Sequence, residues 1–176
     1  MKLFIASDIH GSEYYCRKMI ERYKEEEYDK IILLGDILYH GPRNDLPRGY
    51  SPKEVISLLN ELADKIICVR GNCDTEVDQM VLDFPVMSEY SWVLWENKAI
   101  ILTHGHKEYK ELCRRGTTIF CGHTHIPEYR EEDGILYINP GSVSIPKEGS
   151  PHSYMTYDGE KFEWRRIEDG GVYITK

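Results

Sequence analysis

Short apolar runs, each ending in glycine or a polar residue, recur along the first part of the chain. Three such runs lie at residues 2–7, 31–34 and 65–70, and their continuous apolar character predicts buried strands. Between them, residues 12–28 carry apolar and aromatic side chains at helical spacing. Residues 51–62 open with serine, proline and a capping-box glutamate, which predicts a second amphipathic helix. This alternation of strands and helices favours an α/β layer with parallel strands.

Beyond residue 74 the pattern changes to strands. Apolar or alternating segments predict them at residues 91–95, 99–103, 117–120, 129–132, 135–138, 153–157 and 162–167. A turn around Glu96-Asn97-Lys98 joins the first two, and Asp133-Gly134 makes a hairpin of the fourth and fifth. A short charged helix is predicted at residues 107–115. The last two strands are expected to complete a second sheet, followed by a frayed tail.

The segment at residues 37–50 has no apolar period and contains two prolines and two glycines. It is longer than most connections in a compact domain, which is typical of a functional loop. Its polar candidates are His40, Arg43 and Asn44. Both Arg43 and Asn44 are candidates for orienting a phosphate group, although a loop arginine is more often simply solvated.

Length and charge narrow the class of protein. At 176 residues the chain fits one domain, residues 1–176, with a sizeable core. A net charge of -8 argues against a broad nucleic-acid surface, which needs many cations. No apolar stretch is long enough to span a membrane and no leader segment is evident, so we expect a cytoplasmic protein with five reduced cysteines. A homo-oligomer is compatible with the sequence.

Seven polar residues lie at or just beyond the ends of predicted strands. They are Asp8, His10, Asp36, Asn72, His104, His123 and His125. An isolated His-x-His pair is more often two solvent-facing histidines than a metal site, but the recurrence at successive strand ends reverses that judgement. In an extended segment, residues two apart share a face, so His123 and His125 are expected to present both imidazoles to one small volume.

This set of side chains has too many members for one tetrahedral zinc ion. Oxygen-rich ligands combined with imidazoles suit a pair of first-row divalent ions. One carboxylate must then bridge the two ions, and Asp36 is the best candidate because its strand is expected to lie between those carrying Asp8 and Asn72. Two such ions activate a bridging water and clamp phosphoryl oxygens. The chemistry predicted from the residues is therefore hydrolysis of a phosphate ester.

Five motifs in chain order resemble those of the calcineurin-like metallophosphoesterases. They are Asp8-Ile9-His10, Gly35-Asp36, Gly71-Asn72-Cys73-Asp74, His104-Gly105-His106 and Gly122-His123-Thr124-His125. Three segments, His40-Gly41-Pro42-Arg43-Asn44, Arg70-Gly71-Asn72-Cys73-Asp74 and Asn139 to Lys147, are similar to the small bacterial YfcE-type phosphodiesterases. The resemblance implies a four-layer α-β-β-α sandwich of two mixed sheets flanked by helices, and a phosphodiesterase whose nucleophile is a metal-bridging hydroxide.

The resemblance also implies a ligand set for each ion. One ion is held by Asp8, His10, Asp36 and His125, and the other by Asp36, Asn72, His104 and His123. Manganese is the ion usually assayed in this family, and zinc, iron, nickel and magnesium are the alternatives. The candidate catalytic residues are the ligands Asp36 and Asn72 together with His40, Cys73 and His106.

The chain departs from the family pattern at two places. Many members carry histidine after the motif asparagine, where this chain has Cys73, and the protein phosphatases show Asp-Arg-Gly where it has Tyr39-His40-Gly41. Both departures point away from protein phosphatases. Cys73 is as readily a packed thiol as a reactive one, and His106 either contacts substrate or supports a ligand. We expect a phosphodiesterase that acts on a small phosphate ester. The alternatives are a phosphomonoesterase and a non-catalytic scaffold, and the scaffold is disfavoured because every ligand position is filled.

Overall fold

The first three strands form a parallel unit, because each short apolar run is followed by a connection that carries a helix. The protein is described by a computed structural model that covers residues 2–95 and 98–176. Its first elements are β1 (Leu3–Ala6), α1 (Glu13–Glu25), β2 (Lys30–Leu33), α2 (Pro52–Asn60), β3 (Ile66–Cys68) and α3 (Glu76–Gln79). Strands β1, β2 and β3 pair in parallel, so their carboxyl ends meet at one edge of the sheet.

Among the described residues after α3, eight further strands complete two mixed sheets. These strands are β4 (Tyr90–Trp95), β5 (Lys98–Thr103), β6 (Thr118–Phe120), β7 (Pro127–Glu132), β8 (Ile135–Pro140), β9 (Ser153–Tyr157), β10 (Phe162–Arg166) and β11 (Val172–Thr175). The first sheet has the order β11-β10-β9-β1-β2-β3, and the second has the order β4-β5-β6-β8-β7. Asp133 and Gly134 both have positive φ, 54° and 77°, which confirms the predicted tight hairpin between β7 and β8.

The C-terminal strands belong to the first sheet, so the prediction that they complete the second sheet is wrong. Strand β9 pairs antiparallel with β1, with Leu3 opposite Tyr157, and β10 and β11 follow it outward. All five residues of β9 are buried, as expected for a strand in the interior of a sheet. The predicted frayed tail is also wrong, since it forms β11. The apolar pattern of a segment predicts a strand but does not predict which strand it pairs with.

Alternation along the strands separates two apolar cores. Leu3, Ile5 and Ile32 face the second sheet and pack in a cluster with Leu102 and Phe120. The neighbouring positions face the opposite side of the first sheet, where they pack against α1 and α2; this cluster contains Phe4, Ile31, Leu33, Met19, Tyr23 and Leu59. Two sheets packed face to face, with helices on an outer face, confirm the predicted fold class.

Helical cover over the second sheet is slight. In the part of the chain that the structure describes, the segment predicted as a charged helix at residues 107–115 contains one 3₁₀ turn, Lys110–Leu112. The helical layer over the second sheet is therefore much thinner than the two sheets. Much of the outer face of the second sheet is formed by β-strand side chains.

Helix boundaries correct three further details. Ser12 caps α1 by accepting a hydrogen bond from the Tyr15 N–H, and α1 ends at Glu25, before the predicted residue 28. Ser51 precedes Pro52 as predicted, but its side chain makes no capping hydrogen bond. The capping box of the structure instead joins residues 75 and 78 at α3, a helix that the sequence pattern did not predict.

Two sequence expectations concern the chain as a whole. In the predicted turn around residues 96–98, Glu96 and Asn97 lie outside the described residues. Within the described ranges, no helix has the length and apolar character needed to cross a membrane. All five cysteines are free thiols.

Candidate metal centre

The seven predicted strand-end residues converge where the carboxyl ends of both sheets meet. Asp8, Asp36 and Asn72 follow β1, β2 and β3, whereas His104 follows β5 and His123 and His125 follow β6. The two sheets pack with these ends side by side, so the first sheet supplies mainly oxygen ligands and the second supplies imidazoles. The prediction that these residues lie together agrees with the geometry described below.

Asp8 lies at the deep end of the cluster. Its Oδ1 atom is 3.5 Å from His10 Nε2 and 3.2 Å from His125 Nε2, and these two nitrogens are 3.2 Å apart. Its Oδ2 atom accepts a hydrogen bond from the backbone N–H of His123 (3.1 Å). Oδ1 is buried and has no hydrogen-bond partner within the described residues. A buried carboxylate oxygen of this kind is costly unless a cation satisfies it.

Backbone carbonyls fix the orientation of three imidazoles. Nδ1–H of His10 donates to the Tyr39 carbonyl (2.8 Å), and Nδ1–H of His125 donates to the Ile145 carbonyl (2.6 Å). Nδ1–H of His104 donates to the carbonyl of residue 34 (2.6 Å). In each ring Nε2 therefore points into the site, where it either carries a second proton or offers its lone pair to a metal.

Asp36 lies between two of these imidazoles. Its Oδ1 atom accepts from the backbone N–H of Cys73 (2.8 Å), while Oδ2 is 3.4 Å from His104 Nε2 and 3.7 Å from His10 Nε2. Asn72 Oδ1 lies 3.1 Å from His104 Nε2. Two acceptors this close need a proton or a cation between them. Asp36 is thus placed to serve both halves of the cluster.

The second half of the cluster is completed by His123. Its ring centroid is 5.1 Å from that of His104, whereas the ring of His125 is 5.0 Å from that of His10. The two histidines of the Gly122-His123-Thr124-His125 motif therefore serve opposite ends of the site.

Carboxylates and imidazoles shift one another's ionisation. Burial opposes the charged form of Asp8, but the adjacent imidazoles of His10 and His125 outweigh it and hold the pKa of this carboxyl well below its usual value. Burial likewise opposes the protonated form of His104, yet Asp36 and Asp8 raise its pKa to about 9. The two carboxylates therefore favour cationic partners at this site, whether protonated imidazoles or metal ions. A bound metal would displace protons from the imidazoles.

Strained backbone marks the same residues. Seven non-glycine residues within the described ranges have positive φ, and five of them are candidate ligands: Asp8, His10, Asp36, His123 and His125. Left-handed backbone at such residues costs energy and persists where the surroundings enforce it. Gly71 shows how close that packing is, because a Cβ atom on it would lie 2.1 Å from Asp36 Oδ1.

Several residues that the sequence reasoning left without a role hold these ligands in place. Both carboxylate oxygens of Asp74 are used, since they accept from the backbone N–H groups of Asp36 and Ile37 (both 2.8 Å) and Gly71 (2.7 Å). The hydroxyls of Ser142 and Ser144 donate to the Asp8 carbonyl (2.9 and 3.1 Å). The sequence signal that could have identified these residues is their position as polar residues within the quoted motifs.

Asn139 supports the histidine motif in the same way. Its Nδ2 group donates to the Gly122 carbonyl (2.7 Å) and to the Thr124 hydroxyl (3.1 Å). A buried asparagine near the end of β8 thereby fixes the turn that presents His123 and His125.

The donor set fits divalent metal ions. Three groups of side chains each offer ligand atoms within 4.8 Å of one another: Asp8, His10 and His125; Asp8, Asp36 and His104; and His10, Asp36 and Cys73. The orphaned oxygen of Asp8 and the acceptor pairs at His10 and Asn72 are the contacts that a cation would satisfy. Carboxylate and imidazole donors suit first-row divalent ions.

Cys73 and His106 lie beside this cluster. Burial and the neighbouring Asp36 carboxylate raise the pKa of the Cys73 thiol, which therefore stays protonated at neutral pH. Asn72 Nδ2 donates to its sulfur (3.2 Å). The His106 ring is 5.4 Å from that of His104, and burial, together with His104 and His123, lowers its pKa.

The three loop candidates are placed differently. His40 lies between the rings of Tyr39 and Tyr50, at centroid distances of 4.8 and 5.2 Å. Asn44 donates to the His40 carbonyl (2.8 Å), a contact that shapes the loop. Arg43 is exposed. The loop itself begins directly after Asp36 and approaches the site at Gly41, where an added Cβ atom would lie 3.1 Å from the Cys73 sulfur.

Comparison with known proteins agrees with this arrangement. Residues 1–161 match the model of the calcineurin-like phosphoesterase superfamily domain. The chain is 46% identical to phosphodiesterase YfcE of Escherichia coli over 98% of this chain and 95% of that protein. It is 27% identical to phosphodiesterase MJ0936 of Methanocaldococcus jannaschii, over 95% and 98% of the two chains. The solved structure of YfcE, described as a phosphoesterase from E. coli, superposes with a TM-score of 0.94 and 42% identity, covering 100% and 98% of the two chains.

Proposed function

The chain belongs to the calcineurin-like phosphoesterase superfamily, and from this and the site geometry we infer that it is a metal-dependent phosphodiesterase acting on small phosphate esters. The observation that carries the proposal is the convergence of carboxylate, amide and imidazole acceptors at one point. Acceptors this close need protons or cations between them, and the relatives at 46% and 27% identity are named phosphodiesterases.

We further propose that the site holds two ions and divides its ligands between them. Asp8, His10, Asp36 and His125 would hold one ion, and Asp36, Asn72, His104 and His123 would hold the other. The contacts support this division, since His125 lies against His10, and His123 and Asn72 lie against His104. Two bound divalent ions supply an activated water and neutralise the phosphoryl charge. Manganese is our proposed native ion, and the cytoplasm the proposed compartment.

Side chains around the proposed metal site are assigned to binding and orienting the substrate. The half-buried imidazole of His106 has an Nδ1 atom without a hydrogen-bond partner within the described residues, and its lowered pKa keeps it neutral at pH 7. We assign it a hydrogen bond to the ester. His40, whose Nδ1 atom is likewise buried and unpaired, and the exposed Arg43 are assigned to the loop wall that faces the departing group, with Asn44 shaping that wall.

The proposed function is tested by metal titration combined with a substrate screen. Chelated protein is reloaded with manganese, zinc, iron, nickel or magnesium, its metal content is measured, and hydrolysis of a phosphodiester and a phosphomonoester is assayed. We expect two ions per chain and faster diester hydrolysis. Faster monoester hydrolysis would make the protein a phosphomonoesterase, whereas full metal loading without hydrolysis of either ester would leave a metal-binding scaffold.

Cys73 is expected to set the preference for diesters. An imidazole that protonates a departing alkoxide contributes about 10²–10⁴ in rate, and a thiol whose pKa is raised by burial is a poorer acid. Cys73→His should therefore raise monoesterase relative to diesterase activity by at least about tenfold, with metal content unchanged. Kinetics on both esters measure the ratio.

A remote substitution controls for the added imidazole. Cys113 is partly exposed and lies on the second sheet's side of the molecule, so Cys113→His should leave the ratio as it is. An unchanged ratio in Cys73→His, with the new imidazole seen in the site by crystallography, would return Cys73 to the role of a packed thiol.

A further inference from the structure

Strand β4 presents a free and strongly apolar edge of the second sheet. Tyr90, Trp92 and Leu94 are 40%, 44% and 78% exposed, whereas Val93 is buried between the sheets. By alternation, the three exposed side chains lie on the outer face. Within the described ranges, β4 pairs with β5 alone. Every second residue of β4 therefore directs its backbone N–H and C=O away from the sheet, where they are open to another strand.

Inward from this edge, the outer side of the second sheet is floored by apolar residues, two of which are buried. Trp92 lies opposite Ile101, which lies opposite Ile119, which in turn lies opposite Tyr137. The last three of these residues also line a groove of about 480 Å³, on the side where helical cover is reduced to one turn. Ile101 and Ile119 are only 1% and 7% exposed, and charged side chains such as Lys107 also line the groove. The apolar surface open to a partner is therefore that of β4 itself.

The other sheet edges carry features that discourage pairing. Strand β7 begins with proline and contains Glu128, Arg130, Glu131 and Glu132, and β3 and β11 are only three and four residues long. Proteins usually protect exposed edges with charges, proline or short strands. The six residues of β4 have none of these features, so nothing in the sequence of β4 discourages pairing with another strand.

We propose that β4 pairs antiparallel with β4 of a second copy of this chain, about a two-fold axis beside Trp92. Directly opposed residues of antiparallel strands share a face. In this register Trp92 opposes Trp92 of the second copy, and Tyr90 opposes Leu94, so each exposed apolar side chain meets another. This self-complementarity is what a two-fold dimer requires.

Charge also favours a second copy at this edge. Two chains of net charge -8 repel each other, so an uncharged contact surface favours their association over an acidic one. β4 carries no charged residue, and Glu89 just before it is paired with Lys107 and Tyr109. Strand β7 carries three glutamates and one arginine, so two copies paired there would each bring a net negative charge to the contact. A strand pair of this length is a small interface, so we expect a dimer that dissociates in the micromolar range, on the order of 10 µM.

Sedimentation velocity of the full chain between about 1 and 100 µM, a range that brackets the expected dissociation constant, tests the dimer. Leu94→Lys should shift the protein to monomer across this range, because it places two ammonium groups on the pairing face. Val172→Lys is the matched control, since Val172 is 42% exposed on the edge strand of the other sheet. Both variants should keep full phosphodiesterase activity. A wild-type monomer at all concentrations, or a dimer that survives Leu94→Lys, overturns the proposal.

Cysteine cross-linking tests the register. Trp92→Cys should form a disulfide-linked dimer under mild oxidation, because the two Cβ atoms would be about 5 Å apart. Leu94→Cys should not cross-link beyond the wild-type background from Cys113 and Cys121, because its counterpart lies four residues away, roughly 13 Å. Equal cross-linking of the two variants, or none for Trp92→Cys at concentrations where dimer is present, refutes this pairing.

Discussion

Asp36→Asn is expected to remove nearly all phosphodiesterase activity, at least about 10³-fold in kcat/KM, which corresponds to about 4 kcal/mol of transition-state stabilisation. The substitution keeps the shape of the side chain and the hydrogen bond from the Cys73 N–H. It removes the charge that lies 3.4 Å from His104 and 3.7 Å from His10, and hence weakens both halves of the proposed site at once. Metal content after reloading with manganese should fall from two ions to one or fewer, as measured by elemental analysis.

Two comparison variants give this result its meaning. Asp8→Asn alters one half of the site, because Asp8 Oδ1 contacts His10 and His125. It should remove one bound ion and lower activity less than Asp36→Asn does. Arg43→Ala should change KM or kcat with metal content unchanged, since Arg43 is exposed on the loop wall. If Asp8→Asn proves the more damaging of the two carboxylate changes, Asp8 is the bridging ligand and the assignment of Asp36 is wrong.

The sequence predicted where the candidate ligands meet, although for His123 and His125 it did so for the wrong reason. An extended segment was expected to put both imidazoles on one face. Strand β6 ends at Phe120, both histidines have left-handed backbone (φ 69° and 63°), and they reach opposite ends of the site. The general rule that parallel strands end at a common edge was sufficient. The local geometry depends on tertiary contacts such as Asn139 to the Gly122 carbonyl.

Fold prediction failed where pairing between distant strands decides the outcome. Strand β9 reads as an apolar segment whichever sheet it joins, and only its register with β1, Leu3 opposite Tyr157, places it. The expected capping box at Ser51 is absent although the residue types are right, since the Ser51 side chain makes no capping hydrogen bond at its observed backbone angles (φ -151°, ψ 81°). The short helix at α3 has too few residues for an apolar period to be visible.

The supporting residues were missed because their partners are backbone groups of other loops. Asp74 illustrates this, since it follows β3 but accepts hydrogen bonds from the backbone of Asp36 and Ile37, which follow β2. A side chain that binds a remote backbone leaves no periodic signal in the sequence. It nevertheless holds the two loops in the positions that the proposed ligands Asp36 and Asn72 require.

Asp74→Ala is accordingly expected to destabilise the protein by about 3–5 kcal/mol, because it leaves three backbone N–H groups without their acceptor and each such loss costs about 1–3 kcal/mol. Asp74 is 1% exposed, so water replaces the carboxylate poorly. For a chain of this length, the expected fall in Tm is about 8–15 °C. Thermal unfolding in the presence of a chelator measures the change, since bound metal would otherwise add its own stabilisation.

Asp158→Ala is the matched control for this loss. Asp158 Oδ1 also accepts from two backbone N–H groups, those of Glu160 and Lys161 (both 3.0 Å), but in an exposed turn where water can take its place. Its removal should cost less than about 1 kcal/mol. Asp74→Asn, which retains one acceptor oxygen, should fall between the two. If Asp74→Ala lowers Tm no more than Asp158→Ala does, burial of the three N–H groups is not what makes this aspartate structurally necessary, and the two loops must be held by other contacts.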